Sequence, residues 1–225
     1  MCYSKDSSLY TSTVSFVAIV YLLSSGSPYF QWLGVTLIGW CSMQFAEYLL
    51  WSENPKEGCT ETNKLVTATL IPISLALQPI APAFGALFVY PLETLRPYLI
   101  LWVLLVVGTM VVEYAYLCDP EQPCTVVNKE KHLDWSRSKD YANGVSRSFF
   151  YSVWVTLIAM PMIFGWKKGY SLLAAFWIFP FIGYTYGLST QSPATLWCYY
   201  TSWSSIIAAV ALLLKQTGTY DLLRV

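Results

Sequence analysis

WCSMQFAEYLLW, residues 40–51, closes an apolar run that begins near Tyr29. The run is long enough to cross a bilayer. Inside it lie a carboxylate, Glu47, and an amide, Gln44, three residues earlier. That spacing puts both on one face of a helix. Ionisable groups inside membrane spans are costly and turn toward the protein interior or a wet cavity. The rest of the chain is therefore read as a bundle built around this polar face, with Cys41 one turn below Gln44.

Composition fixes the class. Of 225 residues, 56% are hydrophobic and 12% charged, about half the charged share of an average soluble domain. Mean hydropathy is +0.47. So few charges cannot solvate a globular surface, and the sequence reads as all-α: a polytopic membrane protein in one domain. Net charge is zero, and no Lys/Arg stripe serves nucleic acid. The bilayer is the expected partner. Seventeen Tyr and ten Trp suit two interfacial belts. The opening MCYSKDSSLY lacks the basic and apolar regions of a cleavable signal peptide.

Seven apolar segments are expected, over residues 8–23, 29–51, 65–90, 98–117, 147–166, 170–188 and 194–214. The first is the most polar, with Ser8, Thr11, Ser12, Thr13 and Ser15. The third carries Pro72, Pro79 and Pro82. Proline removes a backbone donor and clashes with the carbonyl four residues back, so a helix break is expected at Gln78–Pro79. Such a break could line a solute path; a plain proline kink explains the same residues. Residues 118–146 form a hydrophilic loop holding the sole histidine, His132, read as solvated.

Seven spans put the termini on opposite sides. Basic residues divide 8 to 5 in favour of the N-terminal side, which by itself orients that side to the cytoplasm. The cysteines oppose this. Cys2, Cys59, Cys118, Cys124 and Cys198 all fall on the N-terminal side, which suits an oxidising face. Cys118 with Cys124, or either with Cys59, are the candidate disulfides. The reading adopted is an extracellular or lumenal N-terminus and a cytosolic C-terminus; reduced thiols packed at an interface are the alternative.

Segments two and four both end on the N-terminal side. Glu47 and Glu113 each lie four residues before the ends of those segments. Cys2, Ser4, Gln44, Glu47, Asn63, Glu113 and Cys198 are thus candidates for one ligand or ion pocket. Three readings compete: carboxylates that snorkel or bond neighbours, carboxylates that bind a proton or small cation in transport, and a thiol–carboxylate metal site. No CxxC or HxxxH spacing supports the metal. No GxSxG, Walker A or HExxH occurs, no Lys lies mid-way along the last segment for a retinal Schiff base, and one His excludes a multi-histidine hydrolase. No cofactor and no catalytic residue is assigned.

Several of these positions also carry a likeness. Met1, Cys2, Ser4, Gln44, Glu47, Trp51, Cys59, Asn63, Trp197 and Cys198 match the pattern of an uncharacterised family of seven-span membrane proteins from bacteria, algae and large DNA viruses, which the chain resembles. Its members open Met-Cys-Phe-Ser; here Tyr3 stands for the Phe. The likeness covers both ends and the second and third spans and is thin over residues 98–186. It implies the architecture and the site positions and no mechanism. Three functions are expected in competition: a small-solute or ion transporter or channel, a non-catalytic membrane or envelope component, and a small-ligand enzyme or receptor.

Overall fold

The computed structural model describes residues 4–117, 124–129, 131–135, 147–159, 176–177, 180–186 and 193–218. The chain is mostly helical. In order come α1 (Lys5–Leu23), α2 (Pro28–Ser52), α3 (Glu61–Ala68), α4 (Leu70–Gly85), a 3-10 turn (Ala86–Phe88), α5 (Leu92–Leu117), strands β1 (Val126–Val127) and β2 (Leu133–Asp134), α6 (Arg147–Ala159) and α7 (Pro193–Gln216). Residues 180–186 are helical as well.

Local chemistry sets the ends of the first two helices. Ser4 caps α1 by accepting from the Ser7 N–H at 3.2 Å, and Asp6 follows in the first turn, where the helix dipole favours a negative charge. Gly26, at φ +69°, takes a left-handed turn conformation that glycine adopts without strain. Pro28 then opens α2 in a position that needs no N–H.

α2 is the central helix. Fifteen of its 25 residues are buried, and α1, α4 and α7 all pack on it. On α1 the buried positions are Ser8, Thr11, Ser15, Ala18 and Leu22. Their spacing marks a single face, and the small residues Ser8, Thr11, Ser15 and Ala18 let helix backbones approach closely. The hydroxyls that make the first segment look like a poor span are thus its inward seam. Its outward face carries exposed Tyr10, Phe16 and Val17. α5 likewise exposes Ile100, Leu101 and Leu104. Apolar exposure on this scale suits lipid rather than water.

Among the described residues, three helical stretches are long and apolar enough to cross a membrane: Lys5–Leu23, Glu61–Phe88 and Leu196–Gln216. They mark the chain as membrane-associated. They correspond to the first, third and seventh of the expected spans; the fifth and sixth lie partly outside the described residues. α2 is not one of the three; Gln31, Gln44, Glu47 and its interfacial-type aromatics lower its hydropathy, and its neighbours shelter it.

The expected break at Gln78–Pro79 lies elsewhere. Helix α4 runs unbroken through Pro79 and Pro82. The chain breaks instead at Thr69, with φ −121° and ψ −62°. Pro72 explains this: its ring conflicts with the carbonyl four residues back, that of Ala68, the last residue of α3. The gap left between the third and fourth expected segments, residues 91–97, is helical for most of its length. Helix α5 starts at Leu92 and continues through Pro97, among exposed Glu93 and Arg96, where water can satisfy freed carbonyls.

The loop after α5 is not simply hydrophilic. β1 and β2 pair antiparallel, Val126 against Asp134 and Val127 against Leu133. His132 is buried, as are Cys124, Thr125, Leu133 and Trp135, and Leu133 and Trp135 join the main core. The solvated His132 of the sequence reading is therefore corrected. What the loop's charge pattern concealed is a small apolar hairpin folded onto the bundle.

Two fastenings hold it. Cys59 is disulfide-bonded to Cys124, with Cα atoms 5.6 Å apart. Beside that bond the Asn63 amide donates to the Thr125 carbonyl at 3.0 Å and accepts from the Thr125 N–H at 2.9 Å. Thr67 donates to the Asn63 oxygen and bonds the Thr125 hydroxyl. The bridge closes a 65-residue separation, worth about 4 kcal/mol in the chain-entropy account. Reduction should therefore free two further thiols to a membrane-impermeant maleimide. That gain should vanish in the Cys59→Ser, Cys124→Ser double variant. Equal labelling with and without reductant would rule the bond out.

Candidate functional site

Helix α2 supplies the floor of the site. Glu47 and Gln44 are fully buried, and Cys41 is 6% exposed. Trp40, also fully buried, precedes Gln44 by one turn on the same face. The other walls come from distant parts of the chain. Gln78 on α4 is buried, and its amide N–H donates to the Cys198 sulfur on α7 at 3.8 Å. Glu47 and Cys41 both lie within electrostatic reach of that thiol. Thr201, one turn on, donates to the Cys198 carbonyl at 2.7 Å and to the Trp40 carbonyl at 3.4 Å.

α1 closes the near side. The Thr11 hydroxyl donates to Gln44 Oε1 at 2.8 Å, which fixes the Gln44 amide group. Ser15 faces Ser205 of α7 at 3.3 Å and is in hydrogen-bond reach of the Cys41 thiol. A seam of hydroxyl, thiol and amide groups thus runs from Glu47 down the α1–α2–α7 junction.

An aromatic cluster adjoins the seam. Trp197 packs edge-on against Trp40, Trp154 and Trp177, with ring centroids 5.5 to 5.7 Å apart. Phe176 lies 5.0 Å from Trp40. The rings are in mutual contact, in the tilted and edge-to-face geometries aromatic pairs prefer. The indole N–H groups of Trp40, Trp154 and Trp197, Gln78 Oε1 and the Ser8 hydroxyl are buried with no hydrogen-bond partner among the described residues. Native cores leave few such groups.

The expected site residues divide. Gln44, Glu47 and Cys198 come together, and Gln78 joins them from the helix that was expected to break there. Ser4 does not: it is exposed and spent on the α1 cap. Asn63 is buried but turned to Thr125 and Thr67, so it fastens the hairpin instead. Glu113 lies within α5, and its side chain is outside the described residues, as are Cys2 and Cys118. Pro79 is buried in an intact helix. Among the described residues no three His, Cys, Asp or Glu side chains gather to hold a metal ion.

Sequence reading missed Thr11, Ser15, Thr201, Trp40, Trp154 and Trp177. The signal for the first two was present. Ser8, Thr11 and Ser15 fall on one helical face, a pattern visible in sequence. The tryptophan cluster draws on four separate stretches and has no linear signature.

Comparison with known protein families, with curated proteins and with solved structures returned no match.

Proposed function

We propose that this chain is a multi-pass membrane protein that moves a small solute or ion, with Glu47 taking up and releasing the coupled proton. The supporting observation is a fully buried carboxylate that shares one helix face with Gln44 and Cys41 and lies in electrostatic reach of Cys198 on α7, to which Gln78 of α4 donates. A carboxyl group both accepts and gives up a proton, and ionisable groups inside membrane bundles mark proton relays. A proton needs only the one carboxyl group, whereas a metal cation needs a shell of several oxygens, so the proton is the preferred ion. The hairpin face, which carries the disulfide, is assigned to the oxidising side of the membrane, with the N-terminus on that side.

The test is proton flux in proteoliposomes under a potassium diffusion potential, read with an entrapped pH dye. Wild type should conduct or exchange protons, and Glu47→Gln should reduce the rate by at least tenfold with the fold retained. Equal flux in the two proteins would refute the role of Glu47.

One observation favours a second reading, a structural component without transport. Thr11–Gln44 and Ser15–Ser205 are interhelical hydrogen bonds, which average about 0.6 kcal/mol in membranes. On that reading the polar seam sets helix register alone, and wild-type vesicles show no flux above protein-free ones.

A further inference from the structure

We propose that the groove between α1 and α2 binds one acyl chain of an anionic membrane phospholipid, with the lipid phosphate held by Lys5. The groove encloses about 680 Å³, within the range of ligand sites, about 300–1,000 Å³. Its walls run from Leu9 to Leu23 on α1 and from Ile38 to Phe45 on α2. At about 1.5 Å per residue the α1 wall is roughly 21 Å long. One leaflet is about half of the ~30 Å hydrocarbon core, so a single chain fits that length.

The chemistry of the walls selects hydrocarbon. Polar side chains line the groove, but their hydroxyls are turned back on the helices. Ser12 and Thr13 donate to the Leu9 carbonyl at 2.9 and 2.8 Å, and Ser42 donates to the Gly39 carbonyl at 2.8 Å. What remains on view is carbon, from side chains such as Phe16, Ile38 and Phe45. A polar solute gains nothing from this wall.

Charge marks which end takes the headgroup. Lys5 lies one turn before Leu9, and Tyr48 one turn beyond Phe45. The Lys5 ammonium stands 5.6 Å from the Tyr48 ring centroid, and the Phe45 and Tyr48 rings are 6.5 Å apart. A cation therefore sits where the groove meets the membrane surface, on the same side as Glu47. Asp6 is the next residue, about 100° around the helix from Lys5. Cationic side chains at this depth attract anionic headgroups.

The experiment uses the full chain in nanodiscs of phosphatidylcholine doped with a phosphatidylglycerol probe that carries an acyl-chain diazirine. After photolysis, adducts should concentrate in peptides covering residues 9–23 and 38–45, at least fivefold over the exposed α5 face around residues 100–107. Ser42→Phe, which fills the groove, should cut them severalfold. Val20→Trp, a substitution at a half-exposed lining position, makes the same test if Ser42→Phe fails to fold. Lys5→Gln should remove the preference for the phosphatidylglycerol probe over the matching phosphatidylcholine one. Adducts spread evenly over the apolar surface, equal labelling by both probes in wild type, or high-yield disulfide dimers of a Phe16→Cys variant would each overturn the proposal.

Discussion

Glu47→Leu should lower the stability of the helix bundle by about 1–3 kcal/mol, the cost of leaving buried polar groups unmatched, while Glu47→Gln should cost much less. The carboxyl is fully buried, in electrostatic reach of Cys198 and one turn from Gln44 on the same face. Gln has nearly the same shape and keeps an oxygen acceptor and a donor in place. Leu keeps the volume and removes both. Replacing a whole buried polar set by apolar residues can be neutral or favourable, but Leu removes one member and leaves Gln44, Gln78 and Cys198 facing hydrocarbon. The measurement is thermal unfolding in detergent, followed by tryptophan fluorescence. A Leu variant as stable as wild type would mean that Glu47 carries no packing role and that its burial serves function alone. The stability comparison and the flux comparison thus separate the two roles.

Gly39→Ala should be at least as damaging, for a steric reason. A Cβ built on Gly39 collides with the Leu77 carbonyl oxygen and lies 2.7 Å from Ala81 Cβ. Both belong to α4, and the carbonyl is backbone that cannot swing aside. Helices α2 and α4 would have to part, and overpacking of this kind costs about 1–3 kcal/mol or more. Separation would also pull Gln78 from the α2 face and break its approach to Cys198. Gly108→Ala in α5 is the matched control, since nothing among the described residues lies within 4 Å of the Cβ it adds. That control should be neutral or stabilising by up to about 1 kcal/mol, the helix preference of Ala over Gly. Similar melting points for the two variants would show that α2 and α4 do not pack as closely as described.

Much of this architecture is written in local sequence. The helix limits follow from caps, prolines and glycines that act on their neighbours: Ser4 and Pro28 start helices, and Gly26 turns the chain. The polar face of α2 follows from the spacing of Cys41, Gln44 and Glu47 alone, because a helix places residues three and four apart together whatever surrounds it. The same rule applied to Ser8, Thr11 and Ser15 would have identified the inner face of α1.

Only the tertiary structure decided what meets that face. Gln78 and Cys198 are 120 residues apart, and their meeting depends on how α4 and α7 are rotated about α2. Rotation and separation depend on small residues such as Gly39, whose effect appears only once the partner backbone is in place. The choice of Cys59 with Cys124 was likewise open in sequence and is made by the Asn63–Thr125 clasp beside it. The break at Thr69 instead of Gln78 shows the same limit within one segment. Three prolines had equal claims by local rules, and the chain parts where Pro72 meets Ala68, while Pro79 and Pro82 stay in a helix pinned by Trp32, whose indole donates to the Pro82 carbonyl at 2.8 Å. Local rules fix which backbone bonds a proline removes; the surrounding helices determine whether the freed groups find other partners.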